Sequence, residues 1–109
     1  MFAIRVVRLY KFLCEDKREF VLSKQLLRSG TAIGSLIREA EFGQSRADFK
    51  NKMSIALKEA NETDYWLNLL KDIDYLNERM FQSISLDCLE LTKMLVSTVK
   101  TTSEVKSEK

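Results

Sequence analysis

Between Phe49 and Leu70, apolar and small residues recur at spacings that alternate four and three: Phe49, Met53, Ala56, Ala60, Thr63, Leu67 and Leu70. A helix of 3.6 residues per turn gathers them on one face, whereas a strand would scatter them over two. A face this long is not stable alone in water, so other helices must cover it. The rest of the chain is suited to that task. It has no Pro and only three Gly in 109 residues. An all-β fold, with its frequent turn residues, is therefore excluded. The length fits one domain that buries roughly two-thirds of its unfolded surface.

Four helical segments follow from periodicity. The first covers about residues 2–15, with Phe2, Val6, Leu9 and Leu13 on one face and Arg5, Arg8 and Lys11 opposite. No capping residue precedes it, which predicts either a frayed first turn or a natural start further upstream. After a charged link at 16–19, the second helix runs from about 20 to 42, with Phe20, Leu26, Leu27, Ile33, Ile37 and Ala40 inward. Gly30 and Gly34 share one face of it. Each costs about 1 kcal/mol of helix propensity, which a close approach by another helix backbone would offset. Gly43 suits a helix end, and Ser45 with Asp48 reads as a cap for the third helix, about 46–74. The fourth covers about 78–101, with Phe81, Ile84, Cys88, Leu91, Leu95 and Val99 inward and Leu86, Leu89 and Val96 as a second apolar line. Short links place neighbouring helices antiparallel. The expected fold is all-α, an up-down-up-down four-helix bundle over residues 1–102, with a polar, frayed tail at 103–109.

Composition also limits the chemistry. There is no His, so the commonest general base and metal ligand are missing. Cys14 and Cys88 cannot make a four-ligand zinc site and read as small apolar residues of a reducing cytosol. No apolar run approaches the ~18 residues of a membrane span. The expectation is a cytoplasmic, non-enzymatic protein without cofactor or metal. Glu59 with Glu62, and Asp87 with Glu90, are i,i+3 carboxylate pairs that a Mg²⁺-dependent phosphohydrolase could use, although any charged helix produces that spacing. A structural role for the first pair is favoured. Glu59 and Glu62 lie in a half-buried stripe and need partners. The second helix offers Arg28, the first choice, together with hydroxyls and Arg38.

The charge is unevenly spread. Residues 1–58 hold 12 Lys and Arg against 6 Asp and Glu, and residues 59–109 hold 6 against 10. Arg5, Arg8, Lys11, Lys17, Arg18 and Lys24 fall in the first two helices and their link. They form a candidate surface for phosphate backbones. The competing reading is a solvated face partly paired with acidic neighbours.

The run SKQLLRSGTAIGSLIREA from Ser23 to Ala40 is followed by Gln44-Ser45, Asp48-Phe49, KMSIALKEANET from Lys52 to Thr63, and YWLNLL from Tyr65 to Leu70. Together they closely resemble the bacterial 23S rRNA intervening sequence protein family. The resemblance implies an antiparallel four-helix bundle assembled into a homopentameric ring, with some members encoded inside rRNA genes. It also implies kinship with the accessory variability determinant of diversity-generating retroelements, a similar barrel that binds nucleic acid and a reverse transcriptase. No catalytic residue is implied. Arg28, Glu39, Glu59 and Glu62 match charged positions of the family pattern and are expected to be architectural. The expected function is a homo-oligomeric scaffold that binds RNA, DNA or a reverse transcriptase through the basic surface of its first two helices. The alternative is a structural or protein-interaction module.

Overall fold

The computed structural model describes residues 1–107, with side chains through Ser103. It contains four helices: α1 (Phe2–Glu15), α2 (Leu22–Glu41), α3 (Arg46–Asp72) and α4 (Glu78–Ser107). α4 runs on past the expected end near 101, and the last two residues of the expected tail lie outside the described residues. The bundle is elongated, 53 × 22 × 20 Å.

The contacts define the direction of each helix. Cys14 meets Ser23 and Val6 meets Gly30, so α1 and α2 run in opposite senses. Arg28 meets Glu59 and Glu62 while Glu39 meets Lys52, so α2 and α3 do too. Lys71 lies over the Phe81 ring and the Cys88 thiol faces the Ala60 carbonyl, which orients α4 against α3. Arg5 closes the ring against Ser83 and Asp87. α2 and α3 share the most extensive interface, and α1 touches α4 only lightly.

The core falls into two parts. One is leucine-rich and built on Val6, Leu9, Leu13, Leu26, Leu67, Leu70, Leu76 and Ile84. The other is small and tight, on Ile33, Ala40, Met53, Ala56, Ala60 and Leu95. Between them lie the buried Ser29, Gly30 and Thr63. Thr63 Oγ1 is 2.9 Å from Ser29 Oγ and donates to the Glu59 carbonyl at 2.8 Å. Two hydroxyls thus share one layer between the two apolar clusters, and neither is left unsatisfied.

The two paired glycines differ. A Cβ on Gly30 would stand 2.7 Å and 2.8 Å from the two Val6 methyls, so α1 packs there as closely as the missing side chain permits. Gly34, expected to serve close packing within the bundle or between subunits, makes no such contact within the chain. It is exposed, and a Cβ there would meet nothing within 4 Å. Helix phase places it on the same face as Gly30, but the side chains at the start of α1 stand back from it and leave an open groove beside Phe2, Ile37 and Leu91. Gly43 follows α2 without a left-handed φ. A Cβ there would meet Asp48 Oδ2 at 2.7 Å, and this close approach accounts for the glycine. Ser45 caps α3 by accepting from the Asp48 N–H at 3.0 Å.

The link before α2 has an unexpected cap. Glu19 is only 8% exposed, and its carboxylate accepts from the N–H groups of Val21, Leu22 and Ser23 at 2.6–3.0 Å. The chain therefore enters α2 later than the sequence predicts. Phe20, expected in the α2 core stripe, lies outside the helix and is 49% exposed. Burial by itself would raise the Glu19 pKa. The donors from Leu22, Ser23 and Val21 outweigh it, and the pKa is lowered.

Two outcomes are expected. Gly34→Ala should stabilise by about 0.5–1 kcal/mol, since it gains helix propensity without a clash. Gly30→Ala should destabilise, since forcing a methyl against the stiff Val6 costs about 1–3 kcal/mol. Urea unfolding of both variants checks the opposite signs. Glu19→Gln should cost about 1 kcal/mol at neutral pH, as loss of a charged cap does. Because the folded pKa is lowered, the carboxylate contribution is whole above the ordinary glutamate value of 4.5 and is lost as pH falls through the lowered value. The difference between wild type and Glu19→Gln should therefore shrink on acidification, as urea midpoints at pH 7 and pH 3 would report.

Candidate nucleic-acid interface

α1 and α4 diverge enough to leave an open cleft of about 480 Å³ between them. α1 contributes Arg5, Arg8, Leu9 and Phe12, and α4 contributes Arg79, Met80, Ser83 and Ile84. Leu9 and Ile84 are buried and form the floor. Phe12 and Met80 are half-buried walls, and the three arginines form the rim.

The cations have different duties. Arg5 is pinned: it donates to the Ser83 carbonyl at 3.2 Å, to Ser83 Oγ at 2.6 Å, and to Asp87. Arg8 and Arg79 are exposed and make no ion pair among the described residues. The Lys17 ammonium lies 5.9 Å from the centroid of the Phe12 ring, so it adds a fourth cation beside the cleft. Lys11, Arg18 and Lys24 are exposed and do not line it. Arg18 sits in the link with φ 56°. The cluster thus straddles α1 and α4 rather than α1 and α2. Arg79 was not among the expected residues, because it belongs to the half of the chain in which acidic residues predominate. Its signal was its position just inside α4, one helix turn before Ser83.

On the α2–α3 side, Arg28 bridges two carboxylates, at 2.9 Å to Glu59 and also to Glu62. Glu62 accepts as well from Trp66 Nε1 at 3.1 Å. Glu39 lies apart from this group and pairs loosely with Lys52 at 3.8 Å. Three of the four carboxylates weighed as Mg²⁺ ligands are thus held by guanidinium groups, Glu59 and Glu62 by Arg28 and Asp87 by Arg5, while Glu90 is exposed on α4. No three His, Cys, Asp or Glu side chains converge as a metal site among the described residues. Burial pushes the Cys88 thiol up to about 11, so it stays protonated as an apolar filler. No helix among the described residues is long and apolar enough to cross a membrane.

The sequence model of the 23S rRNA-intervening sequence protein family matches residues 1–97. A crystal structure of a protein of unknown function from the S23 ribosomal protein family of Bacteroides thetaiotaomicron VPI-5482 is 58% identical, with a TM-score of 0.89. That match covers 91% of this chain and 88% of the other. A comparison with curated proteins finds no match.

The Arg28 bridge can be measured directly. Arg28 is half exposed, so each pair should be worth well under the cost of a buried ion pair. A double-mutant cycle of Arg28→Ala and Glu62→Ala should show a coupling of about 0.5 kcal/mol in urea unfolding.

Proposed function

The chain belongs to the 23S rRNA-intervening sequence protein family, and from that footing we propose a non-enzymatic, oligomeric helical scaffold that binds nucleic acid through the cationic face shared by α1 and α4. One observation carries the reading. Arg8 and Arg79 approach a common cleft, with Arg5 and Lys17 beside it, and neither Arg8 nor Arg79 is neutralised by a carboxylate among the described residues. Guanidinium groups grouped in this way suit phosphate oxygens, which they grip in pairs. The family's description links its members to 23S rRNA, so RNA is the first nucleic acid to test.

Assembly is supported by a different surface. Leu86, Leu89 and Val96 share one face of α4 and are each 48–56% exposed. A line of large apolar side chains on one helix is costly to leave in water and suits burial against a second copy. Sharing this face between copies multiplies the cationic clefts on one particle, and binding of a long phosphate backbone then gains from multivalency. The reading places the protein in the cytoplasm, where Cys14 and Cys88, both free thiols, stay reduced.

Fluorescence anisotropy of a labelled RNA should show binding that weakens steeply with salt. Arg8→Glu and Arg79→Glu should each weaken it several-fold at low salt, and Lys24→Glu, away from the cleft, should do so far less. Absence of binding at low salt would overturn the nucleic-acid role. Light scattering should report an assembly that Leu86→Glu with Leu89→Glu dissociates. A monomeric wild-type chain would overturn the scaffold.

A further inference from the structure

We propose that the α1–α4 cleft takes an unpaired nucleotide, its base seated on the apolar floor and its phosphates held by Arg8 and Arg79, so that the protein prefers single-stranded nucleic acid to duplex. This inference rests on the nucleic-acid reading above and narrows its ligand.

The shape of the cleft carries the choice. A surface that merely tracks phosphates needs cations and no apolar floor. Here the cations ring an apolar hollow with Leu9 and Ile84 at its base and Phe12 and Met80 as its walls. In a duplex the base faces are already stacked on one another and have nothing to bury there. An unpaired base has a free flat face, and it carries its phosphate within reach of the rim.

The size argues the same way. At about 480 Å³ the hollow falls in the range of small-ligand sites. Its apolar part spans Leu9 to Phe12 on α1 and Met80 to Ile84 on α4, about one turn of each helix, or roughly 6 Å. An amphipathic peptide helix would place anchors from i to i+7, which needs about 10 Å of apolar groove. The rim also divides the work. Arg5 is held by Ser83 and Asp87, so it shapes one end of the cleft. Arg8 and Arg79 have no such tie and are free to close on a phosphate from both helices.

The test uses the full chain and three probes of equal phosphate number: a single-stranded RNA, the same backbone with abasic positions, and an RNA duplex. Affinities are measured by anisotropy at one salt concentration. Methyl NMR of Met80 and Ile84 reports occupancy of the floor. The single strand should bind about tenfold or more tightly than either other probe, the scale of one or two stacked bases. The Met80 and Ile84 methyls should shift with the single strand alone. Phe12→Leu, which keeps an apolar side chain, should narrow the margin and leave the salt dependence unchanged.

Equal affinity for all three probes would overturn the proposal and leave phosphate binding intact. Binding of none of them would overturn the nucleic-acid reading itself. Methyl shifts produced by an acidic amphipathic peptide and not by the single strand would assign the cleft to a protein partner and sink the proposal.

Discussion

The layer formed by Ser29, Gly30 and Thr63 sets the geometry of the whole bundle. Its two hydroxyls meet across the α2–α3 seam at 2.9 Å, buried from water, and that contact favours one register of α2 against α3. A slide by one turn would put Ser29 and Thr63 against leucine or alanine on either side and break the hydrogen bond between them, leaving each hydroxyl only the carbonyl of its own helix, Leu26 for Ser29 and Glu59 for Thr63. Once α2 is registered, Gly30 presents its bare face at one height only. α1 enters there, through Val6, to within methyl contact of the α2 backbone. The light contact between α1 and α4 follows from this packing. α1 is drawn toward α2, and the seam on its other side opens into the cationic cleft.

Much of this was legible in the residues. The alternating four-and-three stripe of α3 and the Ser45 cap are local patterns, and they yielded that helix and its boundaries to within about two residues. Arg28 was readable as the partner of Glu59 or Glu62, because carboxylates in a half-apolar stripe require a cation and α2 offers few. What was hidden depended on distance. Phe20 continues the apolar period of α2, but Glu19 folds under the first turn and begins the helix beyond it. Gly30 and Gly34 look alike in sequence and differ only in what stands opposite, a property of α1 rather than of α2. Arg79 could not be found by summing charge over half a chain, since its significance comes from an arginine pair some seventy residues away.

The uneven charge takes on a different meaning in the folded chain. A basic amino-terminal half and an acidic carboxyl-terminal half suggest a broad positive face. Antiparallel folding places the two halves side by side, so part of the contrast is spent on internal pairing. Arg28 of α2 is answered by Glu59 and Glu62 of α3, and Arg5 of α1 by Asp87 of α4. These bridges are partly exposed and add little stability, but they remove cations from the surface field.

Among the cations left unpaired, one group is focal. Arg8 and Arg79, with Lys17 over the Phe12 ring, surround one hollow instead of lining a stripe. A focal cluster neutralises few phosphates per copy, so a single chain should have only modest electrostatic affinity for a polyanion. Two physical routes raise it. One is to bury a base face in the hollow, which adds a contact that salt does not screen. The other is to repeat the cluster on a symmetric particle through the exposed α4 line of Leu86, Leu89 and Val96. The two routes use opposite resources of the same helix. The start of α4 furnishes a cation for the cleft, and its middle carries the exposed apolar face proposed for assembly. A length of 30 residues lets α4 carry both without the two surfaces competing for the same turns.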